Sequence, residues 1–321
     1  MENPDFLDYE IRDADAYATM LRDAEAEIAQ LEPGPLRGHH LRVGLPGGEI
    51  SWIVTNLSLR GRGRFPATVW TLSVVTGAAS RSLQHGVEVT VGTQFLHGPG
   101  AEQDGIYGRD FSVVCLCVRD EVFRASLSNE FPELVGSTDR QWRVSEPSDA
   151  GREELIEQFA QAAAILRADE EVRRSFTARS VMQDELLGLF LENLAGGVDQ
   201  SPMPTVANAA ALVSRAEEFA GDTAINPSSV GDLCVRCGVP RRTLSHAFHQ
   251  TLGMGPATYL RRLRLNQVRR SLRQPRADER LTSIKAVALE HGFWHPGRFS
   301  SQYRELFGEN PMDTARAADI R

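Results

Sequence analysis

"VGDLCVRCGVPRRTLSHAFHQTLGMGP" (residues 230–256) and "IKAVALEHGFWHPGRFSSQYRELFGENP" (residues 284–311) are two copies of one pattern. At an offset of 54, Val230, Leu233, Cys234 and Gly238 fall on Ile284, Val287, Ala288 and Gly292. At an offset of 55, Leu244, Phe248, Leu252, Gly253 and Pro256 fall on Phe299, Tyr303, Phe307, Gly308 and Pro311. The i, i+3, i+4 spacing of the first group puts one apolar face on a short helix. Gly238 and Gly292 permit the positive φ of a sharp turn. The second group repeats every four residues along another helix, which Gly253 and Gly308 end. Each copy is therefore expected to be a helix-turn-helix.

The run "RRTLSHAFHQTLGMGPATYLRRLRLNQVRR" followed by "AVALEHGFWHPGRFSSQYRELFGENP" resembles the AraC/XylS family of bacterial transcription regulators. Its "RRTL", "RLNQVRR" and "GFWHPGRF" segments are similar to regulators of ethanolamine-utilisation operons. This resemblance is close over about the last third of the chain. It implies a sequence-specific, ligand-controlled regulator of the activator kind, with promoter DNA and RNA polymerase as partners. It also implies an N-terminal cupin-like sensor, a small-molecule effector and a homodimer. Activation and repression are not separated by the residues, and the effector is not named by them.

Charge divides the chain in the same way. The net charge is −8, yet residues 206–321 carry +6 and the remainder −14. A basic C-terminal part beside an acidic N-terminal part suits a DNA-binding module joined to a domain kept off DNA. Lys285 is the only lysine, so nearly every cation is a guanidinium fork suited to phosphate and guanine edges. No apolar run has membrane-spanning length and no leader-like N-terminus is seen, so a cytoplasmic location without a membrane partner is expected.

The expected fold class is α+β in two domains, a cupin-like antiparallel barrel with helices and an all-α tandem helix-turn-helix. Residues 1–195 form the sensor and dimerisation domain, 196–206 ("GGVDQSPMPT" at its centre) the linker, and 207–321 the DNA-binding domain. Residues 14–31 read as an amphipathic helix with Asp13 as N-cap. Residues 36–127 carry short β-branched or alternating runs between turns, the barrel. Residues 152–166 and 170–194 read as helices; Leu186, Leu187, Phe190, Leu191 and Leu194 are more apolar than a one-sided helix requires. They face either a second subunit or the chain's own core.

Four cysteines make no disulfide scaffold. Cys234-x-x-Cys237 has metal or redox spacing, but Cys234 matches Ala288 in the repeat, a packing position. No His-x-His pair with a following Glu surrounds His39, His40, His85 or His97, as a metal-dependent barrel enzyme would show. No catalytic residue, metal or cofactor is expected, and a metalloenzyme and a constitutive DNA-binding protein without ligand are the alternatives. Trp52, Trp70 and Phe95 serve as pocket wall or as core.

With Leu244 and Phe248 inward, the first unit leaves Arg241, Arg242, Ser245, His246 and His249 for DNA. On the family's motif Arg242, Ser245 and His246 take base-facing places and Arg241 a flanking one. In the second unit, with Phe299 and Tyr303 inward, Pro296, Gly297, Arg298, Ser301 and Gln302 remain, and Trp294 and His295 at the turn either meet phosphate or pack. Arg261, Arg262, Arg264, Arg269, Arg270, Arg273 and Arg276 mark the joining helix, some of them as phosphate contacts. Two such units set their second helices in successive major grooves about 34 Å apart.

Overall fold

A computed structural model describes residues 6–21, 25–139, 141–201, 204–221, 229–273 and 284–319. The chain divides into two units, residues 1–28 with 37–202, and residues 29–36 with 203–321. The second unit thus takes in a short piece from near the N-terminus.

The first unit is built on two antiparallel sheets. One has eight strands in the order β1 (Phe6–Ile11), β3 (Gly38–Leu45), β4 (Gly48–Thr55), β11 (Phe111–Arg119), β6 (Val69–Gly77), β9 (Gln94–His97), β12 (Trp142–Glu146) and β13 (Val198–Gln200). The other has five, β2 (Glu25–Gln30), β5 (Leu59–Arg64), β10 (Glu102–Tyr107), β7 (Ser82–Gln84) and β8 (Val87–Val89). Register follows from alternation. Cys115 lies opposite Ser51 on one side and Ser73 on the other, while its neighbour Val114 lies opposite Trp52 and Val74.

Those two sets of residues go to different environments. Leu41, Val43, Ile50, Leu72, Val74, Val114, Leu116 and Val118 form one apolar face and pack on helices. The helices are α2 (Asp120–Glu130), α3 (Asp149–Ala168) and α5 (Phe176–Gly196), with the short α4 (Glu170–Arg174) between the last two. Leu186, Leu187, Phe190, Leu191 and Leu194 of α5 are all buried in this core. Their excess apolar character is accounted for within the chain, and a second subunit is not needed to cover them.

Four expectations are corrected. Residues 14–31 are not one helix: α1 (Ala14–Met20), capped by Asp13 accepting from the Ala16 amide, is followed by the strand β2. "EAEIAQ" also alternates with period two, and pairing to a neighbouring strand prevails over helical spacing. The sheets recruit β1, β2, β12 and β13 from outside residues 36–127, and α2 begins inside that range. The helix expected over residues 170–194 breaks at Ser175, whose side chain caps α5 at the Ala178 amide. The stretch expected as linker contains the edge strand β13, whose Asp199 binds Arg143 of β12.

The second unit comprises α6 (Pro204–Gly221), α7 (Val230–Cys237), α8 (Arg241–Leu252), α9 (Pro256–Arg273), α10 (Ile284–Glu290), α11 (Pro296–Phe307) and α12 (Pro311–Asp319). Gly238 and Gly292 hold φ of 66° and 79° at the two turns, a conformation a side chain would strain. Val287, Ala288, Phe299, Tyr303 and Phe307 share a core with Leu265, Val268 and Leu272 of α9. Residues 29–36 are tied into this unit. The Asn266 side chain exchanges hydrogen bonds with the Gln30 backbone at 3.0 and 3.1 Å, and Gln30 Nε2 donates to the Leu306 carbonyl at 2.6 Å. A helix start is closed reciprocally where Ser229 and Asp232 form a capping box at α7.

Two stability predictions follow from this packing. Phe190, fully buried beside Phe159, is a core anchor, and Phe190→Ala should cost about 3–5 kcal/mol in denaturant unfolding; a loss below about 1 kcal/mol would contradict that place. The Ser229 amide and hydroxyl hold the Asp232 carboxyl below its ordinary range. A lowered folded-state value contributes stability above the ordinary carboxylate pKa, and that contribution is lost as pH falls through the folded value. Asp232→Asn should therefore lower the melting temperature at neutral pH, with the gap to wild type closing in acid. A gap independent of pH would refute it.

Candidate nucleic-acid interface and lumen

Leu244, Ala247, Phe248 and Leu252 bury one side of α8, so the other side is left to solvent. Arg241, Arg242, His246 and His249 are exposed there and Ser245 is half-buried. The same division in α11 buries Phe299, Tyr303, Leu306 and Phe307. It leaves Arg298 and Ser301 exposed, Gln302 half-buried, and Pro296 and Gly297 as a bare first turn. Every residue expected to face DNA is thus at the surface of its helix.

Trp294 and His295 precede α11. The indole is 72% exposed, so the packing role weighed for it does not hold; it lies against the His295 ring at a centroid distance of 3.5 Å. An exposed indole beside a polar helix start is a surface suited to contact. Neither α8 nor α11 has a side-chain cap: Pro240 and His295 stand at the N-cap positions without such a bond. First-turn amides left uncapped are ready donors to phosphate oxygens. This feature was missed in the sequence, although a proline preceding "RRTL" already signals it.

The joining helix α9 is less available than its arginine count suggests. Arg269 is buried, pairs with Glu309 at 3.1 Å and stacks over Phe307. Arg262 donates to the Leu31 carbonyl, and burial lowers its pKa. Arg264 lies over Phe293 and is likewise lowered by burial. These three serve the fold. Arg261, Arg270 and Arg273 are half-buried, and Arg276 lies outside the described residues. At the first turn, Cys237 is buried, Cys234 half-buried, and both thiols are free.

The first unit holds a half-open cavity of about 350 Å³. Its wall is the second face of the large sheet, completed by Gln103 and Tyr107 of β10, Tyr17 of α1 and Phe65 just after β5. The side chains there are polar or small at one level, Arg42, Glu49, Ser51, Thr71, Ser73, Cys115 and Cys117, and apolar at another, Ile53, Phe65, Phe95, Phe111 and Val113. A closed core would not place so many polar groups inward. Arg42 Nε stands 3.8 Å from Glu49, beyond hydrogen-bond range. His40, held between Ser51 at 2.6 Å and Tyr9 at 3.0 Å, is pushed down to about 4 by burial and is neutral at physiological pH. Burial pushes the Cys115 thiol up to about 11 and Cys117 higher still, so both stay protonated and poorly nucleophilic. Of the three aromatics weighed as wall or core, only Phe95 lines the cavity. Trp70 stacks on Phe123 in the helix-side core and Trp52 donates to Ser112. No three His, Cys, Asp or Glu side chains converge on a metal position among the described residues, and no described helix is long and apolar enough to cross a membrane.

Residues 233–317 match the family model of a helix-turn-helix domain. The chain is 43% identical over 75 residues to the XylDLEGF operon transcriptional activator of Pseudomonas putida, covering 23% of each protein. It is 40% identical over 91 residues to the HTH-type transcriptional activator RhaS of Pectobacterium carotovorum, covering 28% of this chain and 31% of that one. The matches thus span about a quarter to a third of those relatives' length. Among solved structures, the AraC-like transcriptional activator CuxR matches 81% of this chain and 94% of its own at 15% identity, with a TM-score of 0.44. An AraC-type regulator from Chromobacterium violaceum matches at 32% identity over 35% of this chain and 96% of its own, with a TM-score of 0.31. Residues 233–317 are therefore a helix-turn-helix domain, similar in sequence to those of transcriptional activators.

Proposed function

We propose that the chain is a transcription activator that reads promoter DNA with α8 and α11 and is controlled by a small molecule held in the lumen of its first unit. The observation that carries the DNA reading is the shared division of both helices, a buried apolar face and an exposed Arg-, His- and Ser-bearing one. Arg242, Ser245 and His246 read base edges and Arg241 a neighbouring phosphate. In the second unit Arg298, Ser301 and Gln302 read bases, and Trp294 with His295 meets the backbone. Pro296 and Gly297 give α11 little base-reading chemistry, so its share of specificity rests on Arg298 and on DNA shape.

The effector reading rests on the cavity's lining, a largely apolar wall that also carries Arg42, Glu49, Ser51 and Ser73, a mixture that suits a bound small molecule. The Cys115 and Cys117 thiols on its wall stay protonated, which favours binding over nucleophilic chemistry there. A homodimer is also part of this reading. Its support is the groove between α3 and α5, where Val181 is 50% exposed beside Ile165, Met182 and Leu189, rather than the buried leucines of α5. RNA polymerase as partner, and closeness to ethanolamine-operon regulators through "RLNQVRR" and "GFWHPGRF", belong to the same proposal.

Arg242→Ala should lower affinity for a specific promoter site by about 1–3 kcal/mol while binding to random DNA falls far less. Equal losses on both DNAs, measured by fluorescence anisotropy, would remove the base-reading role. Filling the lumen should separate the two activities. Val113→Trp is expected to abolish effector-induced change in transcription while leaving DNA affinity within about twofold; an unchanged effector response would place the ligand elsewhere.

A further inference from the structure

Beside the lumen, the hairpin of β7 and β8 presents Gln84 and His85 to His97 of β9. His85 Nε2 lies 3.2 Å from His97 Nε2, and the Gln84 amide nitrogen lies 3.1 Å from that same atom. Two polar groups therefore converge on His97 Nε2. A neutral imidazole nitrogen offers one lone pair or one proton, so His97 Nε2 cannot fully satisfy both neighbours. The remainder is left over: Gln84 Oε1 and His97 Nδ1 are buried without a hydrogen-bond partner among the described residues.

The arrangement is held firmly. His85 sits at a φ of 49°, unusual for a non-glycine residue, and its ring stacks on Trp142 at 4.3 Å with an interplanar angle of 5°. His97 stacks on Phe65 at 4.1 Å. The charges beside them balance, because the Asp104 carboxylate is bound by Arg60 at 2.6 Å.

Two donors bound at about 2.0–2.1 Å to a tetrahedral ion stand about 3.3 Å apart. The observed separations are close to that value. Rotating the Gln84 amide by half a turn exchanges its oxygen and nitrogen and brings the unpartnered oxygen to the same point. We propose that His85, His97 and Gln84 bind a divalent transition-metal ion of the imidazole-preferring class, with Zn2+ the type case. Water completes the coordination from the His85 side, the partly exposed one. Phe65 and Phe95, both in contact with the His97 ring, also line the lumen, so a bound ion braces one wall of the cavity.

The test uses the full, untagged chain freed of metal by a chelator, titrated with Co2+ as a spectroscopic probe and then with Zn2+ as competitor. About one Co2+ per chain should bind, with the intense d–d absorption of a four-coordinate site, and Zn2+ should displace it. His85→Asn keeps a residue tolerant of positive φ but lacks the imidazole, and should weaken binding at least about tenfold. A Cys234→Ser, Cys237→Ser double variant should bind as wild type does. Absence of stoichiometric binding, unchanged binding by His85→Asn, or loss in the cysteine variant would overturn the proposal. A readout independent of any variant is the electron paramagnetic resonance of Cu2+ in the unaltered chain. Coupling to two imidazole nitrogens is expected, and coupling to fewer than two refutes the site.

Discussion

Burial of Leu244 and Phe248 in α8, and of Phe299 and Tyr303 in α11, is the constraint on which the reading of this chain depends. A helix of twelve residues has one face to give to its core, and once that face is committed the remaining residues must meet something else. The glycine turns before each helix and the glycines that end it fix where that face begins and stops. The side chains offered to a groove are therefore a consequence of packing. Arg269 shows the converse, since a cation drawn into the core by Glu309 and Phe307 is withdrawn from any phosphate.

The first unit obeys the same logic with period two. The central strands of the large sheet give one set of alternate residues to the helices and the other, of mixed polarity, to the cavity. The result is a half-open cavity whose lining keeps a charged pair, several hydroxyls and protonated thiols. Burial keeps His40 neutral and Cys115 and Cys117 as thiols.

Much of the second unit was legible in the sequence. Two copies of one spacing leave little freedom in assigning helices, turns and inward faces, and the exposed positions followed by subtraction. Trp294 was harder, because an isolated indole at a turn reads equally as core or surface until its neighbours are placed. The first unit was legible as short strands, yet which face of them was core was not. Alternation marks two faces without saying which one meets the helices, so Phe95 reached the lumen while Trp70 went to the opposite side. "EAEIAQ" satisfies both a helical and a strand period, and only pairing within the smaller sheet decides between them. The His85 and His97 rings lie twelve residues apart and are joined by sheet register, which no short motif encodes.

The most direct test of the central claim is binding of the purified chain to DNA from upstream of its own and neighbouring genes, against scrambled DNA of the same composition, over a salt series. The account predicts that binding to one upstream segment survives at physiological salt by a factor of about a thousand over scrambled DNA. Binding to both DNAs that is equal and falls away together as salt rises would contradict it, because contacts to phosphate alone would then explain all of the affinity.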